Sequence, residues 1–386
     1  MEAVAIRLQS IDGGYAGSMR ILVFANTPAH VHLYRHTVDR LAAAGHDVLV
    51  LTREYTCTTD LLEFFGMPYR VYGTHGTDSY SKLRFARELG GQFVTIAREA
   101  VRFDPDVIFG RGPYAAYAGT LARAPVVLVL DDEPGDFNHT VSRPFAETIL
   151  SPAVTRRDLG DDHYTFEGFK ECAYLHPDVF SRDENVREFL GVDPDEPYVI
   201  ARFNALDALH DTDLEGFSPP QRRDLIERLS EHATVFVSDE GGEMDLHDLP
   251  ARPYDLHPAL IHDAMADASL LVADTGTMAT EAALLGTPAF RYRGTDDHEY
   301  GEFQELERAG LAEQFDEYAA VRDRSLEILA DDDAPARWQR RRQAYVAGLV
   351  NLTEVLVAVA ESRGAIDRLS PSTRQALQRG RETPKP

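Results

Sequence analysis

Residues 274–290, DTGTMATEAALLGTPAF, carry residue types and a spacing suited to chemistry on a phosphate. The apolar run SLLVA at 269–273 reads as a buried strand that ends at Asp274. Thr275, Gly276 and Thr277 then form a small-residue turn that opens a helix running to Leu285, with Met278 a further donor-binding candidate beside the turn; Gly286 stops the helix, and Pro288 starts the next strand. A tight strand–turn–helix unit points backbone N–H groups and the positive helix end out of the carboxyl edge of a parallel sheet, which suits a diphosphate. Glu281 lies one turn into the helix, where a carboxylate could reach both hydroxyls of an attached ribose. Any α/β protein has such units, and acidic residues favour first helical turns. Glu281, however, follows Thr277 by one residue too many for a reciprocal capping box. The turn also carries more hydroxyls than a plain connection needs.

Other candidates follow strand ends. The first such loop is Asn26-Thr27-Pro28-Ala29-His30-Val31-His32. His30 could act as a general base or hold a hydroxyl; a His that packs or caps the helix fits equally well. His32 and His36 share a helix face, but no acid or thiol accompanies them, so no metal is expected. Asp131, Asp132 and Glu133 directly follow the apolar run VVLVL. Crowded carboxylates repel, which raises at least one pKa and can create a general base; an acidic surface loop is the plain alternative. Arg202 ends the strand YVIARF, where a guanidinium could neutralise a leaving nucleoside diphosphate. It could instead pair with Asp207 or Asp211.

The elements that must position these residues alternate regularly. Strands are expected at 20–25, 47–52, 69–72, 106–109 and 126–130, with helices between them. Their near-continuous apolar character implies a parallel sheet covered on both faces. After a polar connection at 176–197, a second alternation runs from YVIARF at 198–203 to PAFRY at 288–292. The fold class is therefore α/β, with two Rossmann-like doubly wound domains facing a cleft, the GT-B architecture. The expected divisions are a disordered extension at 1–18, an acceptor-side domain at 19–182 and a nucleotide-sugar domain at 183–335. A crossover helix at 336–362 and a disordered tail at 363–386 complete the chain. No G-x-G-x-x-G follows the first strand and no Walker A run occurs, which removes the main support for dehydrogenase and P-loop readings.

A net charge of −25 argues against a nucleic-acid partner, which needs a basic face. Lysine occurs only at Lys82, Lys170 and Lys385. Acid excess with lysine depletion looks like adaptation to a salty cytoplasm, where self-repulsion is screened. Cys57 and Cys172 flank no motif and read as reduced or buried thiols of a cytosolic protein. The N-terminus has no signal-peptide pattern, and no apolar run approaches a membrane span. The exception to the acidic trend is 82–102, where Lys82, Arg84, Arg87, Arg98 and Arg102 face only Glu88 and Glu99. Apolar residues, Phe85 and Phe93 among them, interleave these cations. The stretch could meet a lipid-linked acceptor at an anionic membrane or be an ordinary helix packed on its sheet.

The pattern D-x-G-x-x-x-x-E-A-x-x-x-G-x-P at 274–288 resembles the nucleotide-sugar signature of GT-B glycosyltransferases and UDP-N-acetylglucosamine 2-epimerases. More of the chain resembles an uncharacterised, largely archaeal family of predicted glycosyltransferases related to those epimerases. The matching segments are NTPAHVHLYRH (26–36), YGTHGTDSYSKL (72–83), DDEPGDFNH (131–139), KECAYLHPDVF (170–180) and RFNALDALHD (202–211). The resemblance implies that Gly276 and Thr277 hold the diphosphate, Glu281 the ribose and His257 the base. Arg291 and Thr295 match an arginine-rich loop of the epimerases, and Glu147 matches an epimerase acid. The epimerases' H-G-D turn appears here as Gly110-Arg111-Gly112, so their catalytic Asp is Gly112, and their His-Arg dyad is matched only loosely by Arg202. The expected protein is a cytoplasmic, metal-independent glycosyltransferase without a cofactor, possessing a peripheral contact at the inner membrane face through 82–102. It would move a sugar from a nucleotide-sugar donor, UDP-linked, to an acceptor glycan or lipid-linked sugar. The alternatives are a nucleotide-sugar epimerase or a non-catalytic nucleotide-sugar-binding module.

Overall fold

The computed structural model describes residues 17–74, 82–130, 137–154, 159–204, 216–242, 244–293 and 301–379. The N-terminal stretch 1–16 lies outside them. The described chain forms two compact units. The first comprises residues up to 151 together with 156–166 and 352–386; the second comprises 152–155 and 167–351.

The first unit is built on β1 (Arg20–Phe24), β2 (Asp47–Glu54), β3 (Tyr69–Thr74), β4 (Val107–Gly110) and β5 (Val126–Val129), followed by β6 (Thr148–Pro152) and β7 (His163–Phe166). With the C-terminal β14 (Leu377–Arg379) they form one sheet in the order β14-β7-β6-β5-β4-β1-β2-β3. β1 to β6 pair in parallel, and β14 joins β7 antiparallel. Short, almost fully buried strands such as VIFG and VVLV require cover on both faces. On one face Leu22, Phe24, Leu51, Ile108 and Leu128 meet Ile96 and Ala100 of the helix Lys82–Phe103. The helix Pro28–Ala43 packs against the helix Leu352–Glu361.

The second unit holds a parallel sheet of β8 (Tyr198–Phe203), β9 (Thr234–Asp239), β10 (Arg252–Pro253), β11 (Leu270–Ala273), β12 (Ala289–Tyr292) and β13 (Ala312–Phe315). Its order is β10-β9-β8-β11-β12-β13. All six strands run parallel.

Three expectations change. Residues 167–182, expected in the first domain, belong to the second unit, where Tyr174 is fully buried. The stretch 336–362 is not one helix but two, Ala334–Val346 and Leu352–Glu361, and they belong to different units. Trp338 anchors the former through an Nε1–H bond to Leu311 O at 3.0 Å. Part of the expected disordered tail is ordered: Ile366, Leu369 and Leu377 are buried, and β14 extends the first sheet. Their burial recovers apolar surface that a disordered tail would leave in water.

The helix over the basic stretch also turns differently from expectation. Phe93 packs inward, its ring centroid 5.5 Å from Tyr114 and 4.8 Å from Tyr117. Among the described residues of this helix, the exposed large apolar ones are Val94 and Val101. Among the described residues, no helix is long and apolar enough to cross a membrane.

Candidate functional site

In the second unit β8 lies between β9 and β11, so the chain leaves β8 and β11 toward opposite faces of the sheet. A crevice opens at the carboxyl edge wherever a doubly wound sheet reverses its order. The turn 274–277 sits at that point.

Asp274 shapes the crevice. Its carboxylate accepts the backbone N–H groups of Asn204 at 2.8 Å and Phe217 at 3.4 Å. A Cβ on Gly216 would fall 2.6 Å from Asp274 Oδ2, so only glycine allows this approach. Asp274 therefore holds the backbone at Asn204, just past β8, and at Phe217. Burial raises its pKa, opposed by the Asn204 N–H and the Arg222 guanidinium.

Thr275 is the extended N-cap of the helix Gly276–Leu285, yet its side chain caps no backbone N–H. Its Oγ1 is buried and has no hydrogen-bond partner among the described residues. Opposite it, β12 pairs Arg291 with Ala273, the last residue of β11. A Cβ on Gly276 would lie 3.7 Å from Arg291 Cζ, so the guanidinium rests against the first residue of the helix. Arg291 is 5% exposed and Arg293 6%. Positions 291 and 293 share a strand face. Arg291 donates to Gln314 Oε1 at 3.4 Å and stacks 5.4 Å from the Phe303 ring centroid. An anion at this helix end would receive the guanidinium, the helix dipole and backbone N–H groups together.

The far end of the helix is fixed as firmly. Gly286 takes φ +83°, and a Cβ there would strike Arg342 Cδ at 2.7 Å. Arg342 donates to Leu284 O at 2.6 Å and Gln339 to Leu285 O at 3.0 Å.

Glu281 is buried among partners the sequence did not reveal. Its Oε1 accepts from Tyr174 Oη at 2.7 Å and lies 3.1 Å from His262 Nε2. The Tyr174 and His262 rings stand 5.0 Å apart. A carboxylate acceptor places the His262 proton on Nε2. Tyr174 lies within a segment quoted for its resemblance but was given no role there. His262 occupies a buried helix position beside Met265, and a His in a core phase calls for a buried partner.

The remaining candidates are placed as follows. Arg202 donates to Ser238 Oγ at 2.9 Å and pairs with Glu240 at 3.1 Å, a bond within its own unit. His257 Nδ1 accepts from the Ala259 N–H at 3.1 Å and so caps a short 3-10 turn. Thr277 is exposed and Met278 half-buried in the first helical turn. Thr295 lies outside the described residues, as do Asp131, Asp132 and Glu133.

The first unit has its own order reversal, between β1 and β4, and the sequence-predicted His30 lies there. A polar row crosses this edge. Tyr72 Oη donates to Asn26 Oδ1 at 2.9 Å, the Asn26 N–H meets His30 Nδ1 at 3.2 Å, and Arg111 Nη1 lies 3.4 Å from His30 Nε2. His30 has at most one acceptor nitrogen, and two donors already face its ring. A general-base role would compete with both, so the geometry suits His30 to binding. Glu147 is not brought to this edge. Its N–H bonds to Val126 O, at the start of β5, and its side chain neighbours Gly364 at the amino edge of the sheet. Ligands of doubly wound sheets bind at the opposite, carboxyl edge. The match to an epimerase acid therefore does not put Glu147 with His30.

The model of the family described as "Protein of unknown function (DUF354)" matches residues 20–296. The uncharacterized protein MJ0665 of Methanocaldococcus jannaschii is 24% identical over 284 residues, 68% of this chain and 78% of that protein. A putative UDP-N-acetylglucosamine 2-epimerase from Listeria monocytogenes has a similar structure, with a TM-score of 0.63 and 13% identity, covering 90% of this chain and 96% of that one. Spinosyn forosaminyltransferase SpnP follows with a TM-score of 0.61 and 15% identity, over 88% of this chain and 100% of that one. The fold is thus the one shared by GT-B glycosyltransferases and UDP-N-acetylglucosamine 2-epimerases, with two Rossmann-like units. The match to the family model runs from β1 past β12, through both order reversals, and the chain belongs to the DUF354 family.

Proposed function

We propose that this protein is a metal-independent glycosyltransferase that takes its sugar from a nucleotide-sugar donor, UDP-linked, held by the second unit. The buried Arg291 guanidinium against the first residue of the helix Gly276–Leu285 carries this reading. That arrangement suits a diphosphate whose charge grows as the sugar leaves. In the reaction the bond between the sugar's anomeric carbon and the diphosphate oxygen breaks. An acceptor hydroxyl oxygen bonds to that carbon, and its proton passes to a base. Asp131, Asp132 and Glu133, which follow β5, supply the proposed base, and the first unit takes the acceptor.

Transfer is preferred to epimerisation because of one position. Gly112 stands where the resemblance would put the epimerase acid. Among the described residues no atom lies within 4 Å of a Cβ built there, so none of them requires the glycine. The experiment is incubation with a panel of UDP- and dTDP-sugars followed by phosphorus NMR. Transferase activity, to acceptor or slowly to water, releases free nucleoside diphosphate. An intact nucleotide sugar of changed stereochemistry would establish an epimerase instead, and an unchanged panel a binding module.

Peripheral membrane contact is part of this proposal. Val94, Arg98, Val101 and Arg102 are exposed at spacings that share a helix face. Basic and apolar residues together suit an anionic lipid surface. Co-sedimentation with phosphatidylglycerol vesicles should be lost in Val94→Ser/Val101→Ser. Wild-type protein that stays in the supernatant at every salt concentration would remove the membrane from the account.

A further inference from the structure

The helix Gly276–Leu285 leads from the carboxyl end of β11 back to the amino end of β12, so Leu285 lies at the amino edge of the second sheet. A cavity of about 330 Å³ opens beside it. Pro177, Phe180, Leu285 and Ala266, the last from the helix Ile261–Asp267, give it apolar walls. Gln339 and Arg342 of the helix Ala334–Val346 add polar ones. The 10 residues of the helix Gly276–Leu285 span about 15 Å, so the cavity is separate from the turn at its start. Its volume falls in the range of small-molecule sites.

Arg182 also reaches the cavity, but its charge is already paired with Asp267. Arg342 differs. Its Nε donates to Leu284 O at 2.6 Å, and no carboxylate among the described residues pairs with its guanidinium. Burial pushes its pKa down, and no acid opposes that shift. Capping Leu284 O uses one of the five N–H donors of an arginine. A half-buried charge without a counter-ion is costly, and a bound anion would offset that cost. The rest of the helix has the same sign. Ala334–Val346 also carries Arg337, Arg340 and Arg341 and no acid of its own. Arg337 pairs with Asp331 at 2.6 Å and Arg341 donates to Gly310 O at 2.9 Å, while Arg340 is exposed. In a chain of net charge −25 this helix is a local reversal.

We infer that the cavity between Phe180, Leu285 and Arg342 binds a small amphipathic anion, a carboxylate or phosphate ester on a short apolar body. Arg342 receives the oxyanion through its fork, and Phe180, Ala266 and Leu285 cover the apolar part. The site is independent of the transferase reading, because it uses neither the donor turn nor Arg291.

Ligand-observed NMR titration of the full chain tests this with hexanoate, hexyl phosphate, acetate and hexanol. Acetate lacks the apolar body and hexanol the charge. Hexanoate or hexyl phosphate should therefore bind about ten-fold or more tighter than either. The tighter of the two anions distinguishes a carboxylate from a phosphate ester. Arg342→Gln should weaken the anion about ten-fold and leave hexanol unchanged. Ala266→Leu, which places a larger side chain in the cavity, should abolish binding of both. Arg291→Gln and saturating UDP should leave anion binding as in wild type. Thermal unfolding checks that the variants are folded; if Arg342→Gln is not, Arg342→Lys and Ala266→Leu carry the comparison, with lysine weaker than arginine because it lacks the fork. Acetate or hexanol binding as tightly as the amphipathic anions, equal binding by Ala266→Leu, loss in Arg291→Gln or no binding to wild type overturns the assignment.

Discussion

Replacing Arg291 with alanine is expected to weaken UDP binding by about 1.5–3 kcal/mol, the range for hydrogen bonds to a charged group. In affinity that is roughly 10- to 150-fold. The guanidinium is buried and lies against Gly276, the first residue of the helix, which puts its charge where the diphosphate is proposed. Arg291→Lys should recover part of the loss, because a point charge remains without the planar fork. Titration calorimetry with UDP and uridine separates the parts of the ligand. Uridine, which lacks the diphosphate, should bind wild type and Arg291→Ala about equally. If uridine affinity falls as far as UDP affinity, Arg291 supports the fold of the site rather than the diphosphate.

Glu281→Ala should lower the stability of the second unit by about 2–5 kcal/mol, since it leaves two buried donors without their acceptor. Those donors are the Tyr174 hydroxyl and the His262 ring, both almost wholly buried. Glu281→Gln keeps an acceptor oxygen of the same reach and should cost much less. Thermal unfolding of the two variants measures the difference, and equal melting temperatures for Ala, Gln and wild type would contradict it. The same pair tests the proposed ribose contact, which a simple alanine scan would confuse with unfolding. Wild type should prefer UDP to 2′-deoxy-UDP, and Glu281→Gln should lose most of that preference while staying folded.

The strand–turn–helix at 269–286 was readable in the sequence because its signals are local. An apolar run, small residues in the turn and Gly286 fix β11, the helix and its end within a short stretch. Arg291 was reachable as well, since β12 follows that helix directly. The surroundings of Glu281 were not readable, because Tyr174 lies 107 residues away and His262 19. Only the fold brings them together. The unit boundary was misplaced for the same reason: residues 176–197 look like a polar linker, while the apolar anchors before them pack into the second unit. β6 and β7 are too short and mixed in character to announce themselves. Glu147 shows the limit of carrying over a family position, since its motif does not say which edge of the sheet it will occupy. The His30–Arg111 contact joins loops after β1 and β4, and strand order, not spacing, decides that those loops are neighbours.

The central claim is that a nucleotide sugar sits at the start of the helix Gly276–Leu285. Hydrogen–deuterium exchange of the full chain with and without saturating UDP tests it most directly, because backbone N–H groups are the proposed diphosphate donors. Slowed exchange should centre on residues 275–281 and extend to 291–293, and Arg291→Ala should reduce it. UDP that binds without protecting the amides of 275–281, or that protects only the first unit, would contradict the account.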